Sequence, residues 1–183
     1  MRIISGQHRG RTLRRVGKPT TRETSDMVKE SVFNMIGDIT GTNVLDLYAG
    51  AGSYGLEALS RYAAHVTFVD HDPDAVRTIR SNLDLIKATD RSDVIRSDAH
   101  TFLDRLHPAT HYDLVFSDPP YMMRDHLLIL EKLSTHVTTE TRLVIETARN
   151  TVLPDHHGDF TLSIGRAYGN KRISIYKKTE TAG

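Results

Sequence analysis

Asp118-Pro119-Pro120-Tyr121 stands directly after Leu114-Val115-Phe116-Ser117, an apolar run of strand character. A carboxylate, a stiff peptide carbonyl and an aromatic ring at a strand tip are the groups needed to hold a planar amine on a flat base. The Asp118 carboxylate and the Pro119 carbonyl can accept from the amine hydrogens. Successive prolines lock φ and so fix the direction of that carbonyl. Tyr121 can stack on the base and set its plane. The lone pair of a ring-bound amine is delocalised, which makes it a poor nucleophile. Acceptors on its hydrogens encourage a more tetrahedral nitrogen, placed for an in-line displacement at a sulfonium methyl. The base must be unpaired or extruded to arrive there. Asp-Pro-Pro is also a plain strand-ending turn, and Tyr121 could equally cap the core.

A second group of residues lies upstream. Val44-Leu45-Asp46-Leu47-Tyr48-Ala49-Gly50-Ala51-Gly52 reads as a strand running into a glycine turn. Gly50 and Gly52 let the backbone turn tightly and a ligand come close. The helix start after them, near Ser53, favours an anion such as the carboxylate of S-adenosylmethionine. Asp46 is placed to meet its ammonium, through water. Asp70 ends the next strand, where a carboxylate can take both ribose hydroxyls; Asp98 follows the third strand and suits the adenine amine. Tyr48 fits beside the cofactor or in the core. Asp118 is expected to border the cofactor as well as the amine. Asp70 and Asp98 also suit turns or helix caps. Gly55 completes a dinucleotide-type glycine spacing, so the glycines alone do not decide between cofactors.

Composition narrows the chemistry. Cysteine is absent, which excludes disulfides, thiolate metal sites and the thiolate nucleophile used to methylate carbon 5 of a pyrimidine. The ten histidines form no ligand pattern, and His156-His157 reads as a polar loop, so no metal is expected. The net charge of +1 conceals an asymmetry. Residues 1–22 carry seven of the 24 basic residues and no acid; the other 17 basic residues stand against 23 acidic ones, a net of −6. A basic arm on a mildly acidic body points to a polyanion, although a solvated tail would show the same composition. Arg9, Arg11, Arg14, Arg15 and Arg22 are the candidate phosphate contacts. Neither a membrane-length apolar run nor a signal-type apolar core is seen at the N-terminus, so a cytoplasmic, monomeric protein is expected.

The elements that must position these residues alternate. Strands are expected at about 43–48, 65–70, 92–96, 112–117 and 141–147, and helices at about 53–62, 73–87, 99–106 and 124–134, which implies a parallel sheet. Phe160–Ile164 and Arg172–Tyr176 alternate with period two around Gly165–Lys171, with Gly169-Asn170 as the turn signal, and predict a closing antiparallel hairpin. A helix over 24–36 is capped by Thr24 or Ser25 and ended by Gly37. Arg2–Ser5 and Arg11–Arg15 predict an N-terminal hairpin around Gly6–Gly10. The whole reads as an α/β, Rossmann-like class I S-adenosylmethionine-dependent methyltransferase fold. It has a seven-stranded, mostly parallel sheet ending in an antiparallel hairpin. Residues 1–22 form a basic arm and 23–183 the methyltransferase domain.

Nearly the whole chain resembles the RsmD-type bacterial 16S ribosomal RNA guanine-N2 methyltransferases. The resemblance rests on Met1–Gly6 with Arg9-Gly10-Arg11, Arg22–Glu30 with Phe33-Asn34, Val44–Gly52 with Gly55–Arg61, Phe116–Tyr121 and Tyr168-Gly169. Glu23 replaces a common proline and Ser117 a common leucine. The resemblance implies a guanine amine of 16S RNA as substrate, presented in an assembling 30S particle. It also implies catalytic roles for Asp118, Pro119 and Tyr121, and RNA contact by the arm and Asn34. The same tetrad serves adenine and cytosine amines in DNA, so a DNA amine methyltransferase is the alternative. No target-recognition domain is visible in 183 residues to support it. A non-catalytic RNA-binding assembly factor would keep the same fold.

Overall fold

Val44–Leu47 and Leu114–Ser117 have no polar alternation because each becomes a strand covered on both faces. The computed structural model describes residues 1–17, 25–120 and 126–179. In chain order these form α1 (Asp26–Ile36), β1 (Asn43–Leu47), α2 (Ser53–Ser60), β2 (His65–Asp70), α3 (Pro73–Ile86), β3 (Ser92–Arg96), α4 (Ala99–Asp104), β4 (Leu114–Ser117), α5 (His126–Leu133), β5 (Arg142–Ala148), β6 (His156–His157), β7 (Phe160–Tyr168) and β8 (Lys171–Lys178). The strand order is β3-β2-β1-β4-β5-β8-β7-β6. The first five strands pair in parallel, and β5, β8, β7 and β6 pair antiparallel. The order reverses between β1 and β4, and the crevice at the carboxyl ends of such strands is where open α/β sheets bind ligands.

The sheet has eight strands, not the expected seven. His156-His157, expected as loop, forms the two-residue edge strand β6 against Phe160 and Thr161. So short a piece carries no periodicity to read. The closing hairpin is longer than expected. Arg166, Ala167 and Tyr168 stay paired with β8, and only Gly169-Asn170 turns, with Gly169 at φ 55°. A β-bulge at Ser163 shifts the register between Leu162 and Ile164. Ser25 caps α1 by accepting from the Val28 N–H; Thr24 lies outside the described residues, as do positions 124 and 125 of the expected fifth helix.

Each face of the sheet carries its own apolar core. One holds Val32, Phe33, Leu56, Leu59, Ile79 and Leu83 from α1, α2 and α3. The other holds Leu103, Ile129, Leu130 and Leu133 from α4 and α5. Residues 1–15 are fastened to the first face. Arg2 bridges to Thr12, and Ile3 and Leu13 are buried. Ile4 and Ser5 donate their N–H groups to the Glu57 carboxylate of α2 at 2.8 and 3.0 Å. Gly6 lies so close to α2 that a Cβ there would fall 1.9 Å from the Ser60 carbonyl oxygen. Among the described residues no helix is long and apolar enough to cross a membrane.

Candidate active site

The turn after β1 is built from left-handed residues. Tyr48 takes φ 57°, Gly50 φ 56° and Gly52 φ 83°. Gly52 caps α2 without a side chain, so the α2 N-terminus is not closed by a capping group. A Cβ at Gly50 would meet nothing within 4 Å, so the loop has an open surface. An open glycine turn before a helix start suits a carboxylate ligand.

Two strand-end carboxylates, Asp46 and Asp70, hold this turn and the helix after it, and a third, Asp98, follows β3. Asp46 is buried and accepts from the Gly55 N–H at 2.9 Å. Burial pushes its pKa up to about 8; the Gly55 hydrogen bond opposes the rise and the negative Asp70 adds to it. Asp70 accepts from the Gly50 N–H and the Asp72 N–H, each at 2.8 Å, one on each oxygen. Each oxygen keeps a lone pair, because a carboxylate offers about four acceptor sites. Asp98 is exposed and caps α4 through the Thr101 N–H at 3.1 Å. Tyr48 is partly buried, packed on the core that holds Leu45 and Val69.

Asp118 follows β4 and its side chain is 26% exposed, while Pro119 is buried. Glu146 at the end of β5 lies beside it, and Lys171, at the start of β8, is ion-paired to Glu146 and 4.0 Å from Asp118. Tyr54 of α2 donates its hydroxyl to Glu146 at 3.1 Å and stacks on Phe116 at a 4.6 Å centroid distance. The aromatic pair therefore ties the α2 start to the base of the Asp118 strand. Burial, above all, holds the Asp118 carboxyl well above the usual carboxylate range. Next come the charge of Glu146, opposed by Lys171, then a hydrogen bond to Glu146 and the charge of Asp46. In its ionised form this carboxyl can accept an amine hydrogen and take the proton that the amine sheds.

Sequence reasoning missed Glu146 and Lys171. Their only signals were a charge closing the apolar run Leu143-Val144-Ile145 and a lysine after the turn. Glu57 and Lys29, both fully buried and 3.4 Å apart, were missed too. Tyr121 and Arg22 lie outside the described residues. Arg9, Arg11, Arg14 and Arg15 are exposed along the hairpin, and Asn34 is exposed on α1. Among the described residues no group of three or more His, Asp or Glu is placed to hold a metal ion.

The family described as Conserved hypothetical protein 95 matches residues 1–177. YlbH of Bacillus subtilis strain 168, a candidate rRNA methyltransferase, is 40% identical over 185 residues, covering 97% of this chain and 99% of its own. The ribosomal RNA small subunit methyltransferase D of Escherichia coli strain K12 is 32% identical over 182 residues, covering 97% of this chain and 90% of its own. The solved structure of YhhF from Escherichia coli, a candidate methyltransferase, has a TM-score of 0.85 at 30% identity, with 99% of each chain covered.

Proposed function

This chain belongs to the RsmD family of ribosomal RNA methyltransferases, and from that premise we propose that it methylates the exocyclic N2 amine of a guanine in 16S RNA, presented within the assembling 30S subunit. The observation that carries this reading is Asp118-Pro119 at the β1/β4 switch, with the carboxyl backed by Glu146 and Lys171. S-adenosylmethionine supplies a methyl group on a sulfonium. The Gly50–Gly52 turn and the α2 N-terminus would receive its carboxylate, Asp46 its ammonium through water, Asp70 its ribose and Asp98 its adenine amine, with Tyr48 beside the cofactor.

Asp118 and the Pro119 carbonyl accept from the two amine hydrogens and aim the nitrogen lone pair at the methyl carbon. The part of Tyr121, inferred from the Asp-Pro-Pro-Tyr sequence alone, is to stack on the base. Bound in this crevice, S-adenosylmethionine would supply the methyl group and leave as the neutral thioether, and the methylated amine would carry one surplus proton. Asp118, entering the reaction ionised beside Lys171, takes the surplus proton. Residues 1–22 act as the RNA-docking arm of a domain formed by 23–183. Arg9, Arg11, Arg14, Arg15, Arg22 and Asn34 contact the nucleic acid.

Asp118→Ala is expected to lower methyl incorporation into 30S particles by about 10²–10⁴-fold while calorimetry shows cofactor still bound. Turnover at the wild-type rate would remove Asp118 from the reaction. Mass mapping of 16S RNA from cells lacking the protein is expected to show one N2-methylguanosine missing. Loss of a methylated adenine or cytosine instead would refute the guanine assignment.

A further inference from the structure

Two neighbouring helices end in the same unusual way. At the end of α2 the Ala63 N–H reaches the Ala58 carbonyl and the Tyr62 N–H the Leu59 carbonyl. At the end of α3 the Ala88 N–H reaches the Leu83 carbonyl and the Lys87 N–H the Asp84 carbonyl. Both are closures whose left-handed position normally carries glycine. Here they carry Tyr62 at φ 68° and Lys87 at φ 53°. Side chains are strained at such angles, and strained positions concentrate where a site needs them. Tyr62 is also 54% exposed, an aromatic ring held out to solvent.

The two side chains line one open groove of about 510 Å³, together with Gln7, His8, Asp90 and Arg91. A volume of that size accommodates a nucleotide. Arg91 is held in place by the Ala63 carbonyl at 3.1 Å. Lys87 and Arg91 outnumber the one acid, Asp90, and the exposed Arg9 and Arg11 lie in the adjoining hairpin. The field is positive enough to help burial lower the proton affinity of His8, through Arg91 and Arg11. An exposed aromatic side chain sharing a groove with two cations fits an unpaired base and its phosphates rather than an apolar peptide.

The groove lies before the N-terminal ends of β2 and β3, opposite the strand ends that carry Asp46, Asp70 and Asp118. The arm connects the two ends. Its turn residues Gln7 and His8 line the groove, while Arg14 is tied through Asn82 to Ala51 of the glycine turn. We propose that this groove is a second RNA-docking site, in which Tyr62 stacks an unpaired base and Lys87 and Arg91 face its phosphates, remote from the methyl transfer. The proposal rests on the reading of ribosomal RNA as the substrate.

The test is the double variant Tyr62→Gly/Lys87→Gly, assayed for binding to protein-free 16S RNA and to a fluorescent single-stranded oligoribonucleotide. Glycine suits both backbone positions, so the melting temperature is expected to stay or rise. The RNA Kd is expected to rise about tenfold, and the KM for RNA with it, with kcat and cofactor affinity unchanged. Tyr62→Phe is expected to bind normally and Tyr62→Leu weakly. RNA binding by the double variant equal to wild type overturns the groove alone, as does a defect confined to protein-containing particles, which would assign it to a protein partner. Wild-type protein that binds no protein-free RNA overturns the groove, and if it binds no 30S particle either, it overturns the substrate as well. Asp118→Ala, which is expected to keep RNA binding, separates a failed catalytic assignment from a failed docking site.

Discussion

At the scale of single residues, burial sets the proton affinity of the carboxyl groups at the site. Asp46 has its pKa pushed up to about 8, so it carries a proton at neutral pH. In the folded chain it binds a proton that the unfolded chain releases near its ordinary value. Its contribution to stability therefore falls as pH rises from about 4 to about 8. Pairing with a cofactor ammonium requires the ionised form. Cofactor affinity is expected to climb with pH up to about 8, by at most roughly tenfold per unit, and to level off above. Calorimetry in buffers of different ionisation enthalpy would show the proton leaving. Asp46→Asn is expected to abolish the slope, and a slope that survives in that variant would separate Asp46 from the ammonium. The strand-end acids Asp46, Asp70 and Asp118 were readable because apolar runs announce where strands stop. Glu146 and Lys171 were not, because the ion pair exists only once β8 lies beside β5.

At the scale of elements, the arm and α2 depend on one buried carboxylate. Glu57 accepts from two arm N–H groups, from Arg61 at 2.9 Å and faces Lys29 at 3.4 Å. Lys29 in turn donates to the Arg2 carbonyl at 2.6 Å, and burial lowers its proton affinity against the pull of Glu57. Glu57→Ala leaves a buried ammonium unpaired. It is expected to cost about 3–5 kcal/mol in urea unfolding and to open the arm to trypsin at Arg9 and Arg11. Unchanged cleavage kinetics would show that the arm is held elsewhere. The basic composition of this hairpin was plain in the sequence, but its seat on α2 was not, since Glu57 sits in an ordinary-looking helical stretch. The strand–helix alternation from β1 to β5 was legible to within two residues because burial on both faces writes it directly. The full extent of β7 was not, because Gly165, Arg166 and Ala167 are paired by backbone alone and carry no alternation.

At the scale of the molecule, charge and topology divide the work. Cations gather on the arm, while the acids that would meet the cofactor cluster at the carboxyl edge of the sheet. Neutralising Arg9, Arg11, Arg14 and Arg15 together is expected to flatten the dependence of log Kd for RNA on log salt by about three, at roughly 0.7 per phosphate contact on single strands. A slope identical to wild type would take the arm out of RNA binding. The Asn82 side chain joins these two regions. Fully buried in α3, its amide exchanges hydrogen bonds with both the N–H and carbonyl of Arg14 and also grips the Ala51 carbonyl. A single clasp thus spans grip and pocket, and any pull that lifts the arm tugs on the floor of the crevice beneath it. Under the proposed function, holding the large substrate and shaping the small one would be mechanically the same act.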